Sequence, residues 1–114
     1  MRRLEKIFKA LGDRNRLRIL KMLEVKPMCV CEITAVLGIA QSSVSRHLSI
    51  LRGAGLIIDE KYGLWVEYSL VGSIDDVPAT IMTGLRRWEN SDTVIQRDRE
   101  MAETISREEL CSKP

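Results

Sequence analysis

Residues 39–70, "IAQSSVSRHLSILRGAGLIIDEKYGLWVEYSL", decide the fold, because the apolar period changes inside them. Val44, Leu48 and Leu51 are spaced to share one face of a helix, which leaves Gln41, Ser42, Ser43, Ser45, Arg46 and His47 outward. That outward face is small and rich in hydrogen-bonding groups. The period then drops to two: Leu64, Val66, Tyr68 and Leu70 alternate with Trp65, Glu67 and Ser69, and Gly63 supplies a turn after Leu56 to Asp59. A helix with a polar N-terminal half is thus followed directly by a β-hairpin.

Working outward, the segment before this helix, "CVCEITAVLG" (residues 29–38), is a short helix with Ile33, Val36 and Leu37 apolar and Gly38 placed to end it. Two helices joined by a few residues containing Gly form the pattern of a helix-turn-helix, whose second helix enters the major groove. The hairpin then stands where a wing stands. Upstream, Leu4, Ile7, Phe8 and Leu11 stripe a helix that ends at Gly12, and Asp13 caps the next, whose stripe is Leu17, Leu20 and Leu23 before Pro27. Downstream of about Asp75 the chain reads as further helix. Ile81, Leu85 and Trp88 form one stripe, and Val94, Ile95, Met101 and Ile105 are sparse apolar positions in a charged run to Leu110. So sparse a stripe anchors poorly on a small core, and points to packing against a second subunit. The expected architecture is mainly α with a β-hairpin (α+β), a winged helix-turn-helix that forms a homodimer. Residues 1–110 make one DNA-binding and dimerisation domain, and residues 111–114 a flexible tail.

The 114 residues, 45% of them apolar, suffice for one domain with a modest core. No apolar run approaches the roughly 20 residues that span a bilayer, and Lys6 and Lys9 interrupt the amino-terminal stretch, so a soluble, cytoplasmic protein without membrane partners is expected. The net charge of +2 is unevenly spread: residues 1–26 carry nine Lys and Arg against three acids, which suits a polyanionic partner as well as it suits a solvated helix face. Three cysteines, Cys29, Cys31 and Cys111, are an odd set without an export signal, so reduced thiols that ligate or sense redox state are expected.

Taken together, "ALGDRNRLRIL", "CVCEITAVLGIAQSSVSRHLSILRGAGLI" and "YGLWVEYSL" resemble the ArsR/SmtB family of bacterial metal-responsive repressors over roughly residues 4–70, and the Cys-Val-Cys segment resembles its arsenical-resistance repressors. The resemblance implies a homodimeric repressor that binds operator double-stranded DNA, an inverted repeat, and releases it when As(III) or Sb(III) binds as inducer. It implies no organic cofactor and no catalysis. On this chain the metalloid ligands are then Cys29, Cys31 and, as a third, Cys111. The family's arsenical pattern has a cysteine three residues after the Cys-Val-Cys, and this chain has Thr34 there. A small-molecule thiol, or coordination by two sulfurs alone, are the alternatives to Cys111.

Trivalent arsenic is thiophilic and takes thiolates, and a helix N-terminus lowers a cysteine pKa. In a regular helix, residues i and i+2 lie about 200° apart, so Cys29 and Cys31 share one centre only where the first turn is irregular or unwinds. Chelation that distorts this helix would shift the population away from the DNA-competent form. Base edges or phosphates would be met by Ser43, Ser45, Arg46 and His47, with Gln41 and Ser42 at the helix start, Arg52 behind them and Lys61 at the wing tip. The wing tip also carries Asp59 and Glu60, and Arg14, Arg16 and Arg18 are further sources of positive charge. His47, the single histidine, reads as a DNA contact or surface group and not as a metal ligand; Trp65 and Tyr68 read as hairpin packing. Three other readings stand beside this one: a repressor sensing thiol oxidation or a soft divalent ion such as cadmium or lead, a thiol enzyme using Cys29 as nucleophile, and an interaction module without a sensor.

Overall fold

The computed structural model describes residues 2–72 and 77–110. Helix α1 (Arg2–Leu11) ends at Gly12, and α2 (Arg14–Leu23) starts from Asp13, whose carboxylate accepts the Arg16 backbone N–H at 3.1 Å. After Pro27 come β1 (Met28–Cys29), α3 (Val30–Leu37) and α4 (Gln41–Gly53). The left-handed φ of 71° at Gly38 closes α3, a conformation that glycine adopts without steric cost. Strands β2 (Ile57–Tyr62) and β3 (Trp65–Leu70) pair antiparallel with Tyr62 opposite Trp65, which leaves a two-residue turn at Gly63 and Leu64. Gly63 takes φ 57° at the first turn position, the place where such a hairpin needs it. The chain continues through α5 (Val77–Leu85), α6 (Thr93–Thr104) and α7 (Arg107–Leu110).

The hairpin is wider than the sequence pattern indicates. Strand β1 adds to β3 on the side away from β2, in the order β1-β3-β2, with Met28 opposite Tyr68 and Cys29 opposite Glu67. Two residues are too few to show a period, so only the pairing partner nearly forty positions away reveals this strand. The core lies between the helices and this sheet: Ile7, Ile19, Leu20, Met22, Met28, Ile33, Val44, Leu48, Leu51 and Leu56 are fully or almost fully buried. Among the described residues, no helix is long and apolar enough to cross a membrane.

The carboxy-terminal helices depart from expectation. The start placed near Asp75 lies outside the described residues, as do Cys111 and the tail 111–114. Trp88 does not continue the Ile81 and Leu85 stripe; α5 stops at Leu85, and Trp88 is exposed beside Gly84. Helix α6 finds its partner in its own chain. Ile95 and Ala102 are buried, and the fully buried Asp98 forms a two-pronged ion pair with Arg18 of α2, Oδ2 to Nε at 2.7 Å and Oδ1 to Nη2 at 3.0 Å. Arg99 adds a 2.7 Å contact to Glu24. Polar anchoring thus replaces the apolar stripe that the sequence lacks.

Of the nine basic residues in the amino-terminal third, four are engaged inside the fold, while Arg2, Arg3, Lys6, Lys9 and Arg14 are exposed. The buried Lys21 ammonium donates to the Leu85 carbonyl at 2.8 Å and to Asn90 Oδ1 at 2.9 Å, and lies 3.1 Å from Glu24. Lys26 donates to the Ile105 carbonyl. Arg16 and Arg18 are likewise engaged, which leaves Arg14 as the exposed member of the three.

Candidate DNA-binding face and sulfur site

On α4, Gln41, Ser42, Ser45 and Arg46 are exposed and Ser43 is half-buried, so these five stand along one accessible face. Ala40 at the N-cap offers no side-chain hydrogen bond, which leaves the first backbone N–H groups of α4 free of a side-chain cap. Arg52 is exposed near the other end of α4 and makes a 3.1 Å ion pair with Asp59 of β2, tying the helix to the base of the hairpin. Lys61 is exposed on β2, and Leu64 projects from the tip at 74% exposure.

His47 is a correction. It was read as outward-facing, but only 6% of it is accessible, and Arg16 Nη1 donates to its Nδ1 at 3.2 Å. The same guanidinium donates to the carbonyls of Ala10 and Lys9, so one side chain joins the end of α1, the start of α2 and the middle of α4. The spacing contained this answer: position 47 lies three after Val44 and four before Leu51, on the same stripe. Burial pushes the His47 pKa below its ordinary value near 6.5, and the neighbouring Arg16 and Arg46 charges act in the same direction against Asp13. The ring is therefore neutral in the folded protein where the unfolded chain takes up a proton. The sign follows: stability is complete above about pH 6.5 and falls as the pH drops toward the folded value. His47→Asn, whose carbonyl can replace Nδ1 as acceptor, is expected to remove up to about 1.4 kcal/mol per pH unit from that slope. Urea unfolding at pH 7.5 and 5.5 checks this; equal losses in both proteins contradict it.

The sulfur site stands at the junction of the sheet and α3. Cys29 is the last residue of β1 and the N-cap of α3, with an extended backbone (φ −92°, ψ 168°), whereas Cys31 is already helical. This break brings the two sulfurs to 3.4 Å. Of the two alternatives, an irregular first turn or an unwound one, the structure shows the irregular turn, already present without unwinding. A cleft of about 660 Å³ reaches both cysteines, with Gln41 of α4 and Trp65, Val66 and Tyr68 of β3 among its walls.

Glu32, three residues after Cys29 and buried, organises the site. Its Oε1 accepts the Cys29 backbone N–H at 2.9 Å and lies 3.1 Å from Cys29 Sγ. The expectation of a thiol made acidic by the helix end does not hold for Cys29: burial, and then the hydrogen bond to Glu32, push its pKa up. Arg107 of α7 completes the group, 3.1 Å from Glu32 Oε1 and 2.8 Å from Glu67 Oε2, with its guanidinium 5.8 Å from the centre of the Trp65 ring. Glu32 and Arg107 were missed from the sequence. For Glu32 a signal existed, its third position after the cap; for Arg107, distant in the chain, there was none. Thr34 Oγ1 is buried without a hydrogen-bond partner. Among the described residues no three His, Cys, Asp or Glu side chains are grouped to hold a metal ion, and Cys111 lies outside them.

Comparison with known proteins identifies the family to which this fold belongs. Residues 13–59 match the model of the bacterial regulatory protein, arsR family. The chain is 41% identical over 71 residues to the arsenical resistance operon repressor of Bacillus subtilis (strain 168), covering 61% of this chain and 68% of the relative. It belongs to the ArsR family. The arsenical resistance operon repressor of Escherichia coli (strain K12) is 45% identical over 65 residues, a match that spans 56% of each protein. In structure, this ArsR-family chain is similar to HlyU from Vibrio cholerae N16961, with a TM-score of 0.63 and 32% identity over 75% of this chain and 89% of the other. The likeness identifies the β2–β3 hairpin as the wing. ArsR-family proteins are DNA-binding regulators and not enzymes, so Cys29 is not read as a catalytic nucleophile.

Proposed function

We propose that this protein is a transcriptional repressor that binds operator DNA through α4 and the wing, as a dimer, and is released when As(III) or Sb(III) takes Cys29 and Cys31 as ligands. The observation that carries this reading is the 3.4 Å separation of two sulfurs at the wall of an open cleft that also touches α4 and the wing. Two sulfurs bound to one centre at about 2.3 Å lie about 3.3 Å apart at a right angle and about 3.8 Å apart at a tetrahedral one. The observed spacing is short enough for both sulfurs to reach one soft centre. Each Cys S–H exchanged for an S–As bond releases one water from arsenous acid, so a protonated Cys29 is a competent starting state; Cys31 is disulfide-bonded in this structure and takes arsenic only after a thiol reductant has restored its S–H. Cys111 is the proposed third ligand. Leu4 and Phe8, exposed on α1 at 43% and 61%, support a second subunit on that face.

Gln41, Ser42, Ser43, Ser45 and Arg46 are the proposed groups that meet bases and phosphates. Arg52 and Lys61 add charge at the flanks, Arg52 partly neutralised by Asp59. Fluorescence anisotropy of the reduced protein on DNA from directly upstream of its gene tests the reading. Arsenite is expected to release the protein near stoichiometry, and Arg46→Ala to weaken binding by about 1–3 kcal/mol, roughly 5- to 150-fold. Tight binding that ignores arsenite but responds to oxidant, cadmium or lead retains the repressor and rejects the arsenic assignment. Unchanged binding by Arg46→Ala favours an interaction module.

A further inference from the structure

Arg107 stands where three parts of the molecule meet, and nothing in the DNA-binding or sulfur chemistry accounts for it. A single nitrogen, Nη2, contacts both Glu32 of α3 and Glu67 of β3, while the guanidinium lies over Trp65. The side chain is 15% exposed and Glu32 only 2%, so the contacts are shielded from the screening that makes surface pairs weak. Directly beneath, the backbones of Cys29 and Glu67 are register partners in the β1–β3 pairing. From these contacts we infer that Arg107 is a positioning residue that couples the state of the Cys29 sulfur to the wing.

The physical route is short. Glu32 Oε1 is shared by the Cys29 N–H, the Cys29 sulfur and Arg107. A sulfur bonded to an inducer no longer donates a hydrogen to that oxygen, and two lone-pair atoms left about 3.1 Å apart repel. The carboxylate must turn, and because the same guanidinium nitrogen serves Glu67, the hold on β3 changes with it. A bonding change at one sulfur thereby reaches the wing through one side chain. This is a demonstrable two-site coupling only if both ends respond through Arg107.

The inference rests on the arsenic-responsive repressor reading for the nature of the signal, and the experiment separates the two. The first arm uses no inducer: amide hydrogen exchange of β2 and β3 in the parent, Glu32→Gln, Arg107→Gln and the double variant, with α2 amides as the measure of global stability. Each single change is expected to speed wing exchange about tenfold with α2 unaffected, and the double change to add nothing further. Effects that multiply in the double variant overturn the coupling, whatever arsenite does. The second arm compares arsenite-induced loss of DNA affinity in the parent and Arg107→Gln, where the ratio is expected to shrink about tenfold. Equal release in both overturns the coupling; no release in either, with a coupled exchange cycle, leaves Arg107 in its role and removes arsenic as the signal.

Discussion

Cys29→Ser is expected to raise the arsenite concentration for half-release from operator DNA by more than about 100-fold while leaving DNA affinity in the absence of arsenite within about threefold. The asymmetry follows from where Cys29 sits. It is the N-cap of α3, a position at which serine is among the preferred residues, and its backbone N–H bond to Glu32 does not depend on the side chain. The helix and the face of α4 beyond it therefore keep their support. What is lost is a soft donor: an alkoxide oxygen does not replace sulfur on a thiophilic centre, and residues that merely orient a ligand already cost about 10- to 100-fold in metal affinity when changed. Anisotropy titrations of the reduced parent and variant measure both quantities. An arsenite response that survives in Cys29→Ser would assign the inducer to other donors.

Asp98→Ala is expected to lower the stability of the fold by about 3–5 kcal/mol, a large part of the roughly 5–15 kcal/mol of an ordinary domain. Asp98 is fully buried and both of its oxygens are engaged by Arg18. Its removal leaves a guanidinium largely shielded from water without its partner, and α6 loses its main tie to α2. The expected fall in the thermal midpoint is on the order of 10–20 °C. Arg18→Met in combination with Asp98→Ala should recover a good part of that loss, because two apolar groups no longer strand a charge. Thermal unfolding of both variants decides it; a fall of less than a few degrees for Asp98→Ala would mean that α6 is held by Ile95 and Ala102 instead.

The ion pair also shows where sequence reading reaches its limit. Elements fixed by neighbours in the chain were legible: the Asp13 cap, the Gly38 stop, the Val44, Leu48 and Leu51 stripe, and the Gly63 turn all act within a few residues. Elements fixed by distant partners were not. Asp98 in a charged run looks like solvated surface until Arg18, eighty positions earlier, is placed beside it. Lys21 likewise counts toward a basic face until the Leu85 carbonyl and Asn90 enclose its ammonium. The two-residue β1 exists only because β3 pairs with it, and that strand is what holds Cys29 extended and turns its sulfur toward Cys31. The Cys-Val-Cys segment pointed to a candidate site through its resemblance, whereas the convergence of the two sulfurs comes from tertiary structure. His47 is the different case, a burial that the helical period already indicated and that its polarity disguised.

The central claim is that Cys29 and Cys31 together receive the inducer. Arsenic X-ray absorption of the reduced protein with one equivalent of arsenite tests it most directly. Two or three sulfur neighbours are expected on arsenic in the parent, three where Cys111 contributes, and replacement of those sulfurs by oxygen in the Cys29→Ser, Cys31→Ser double variant. Arsenic bound through oxygen in the parent, or a sulfur shell unchanged in the double variant, would contradict the account.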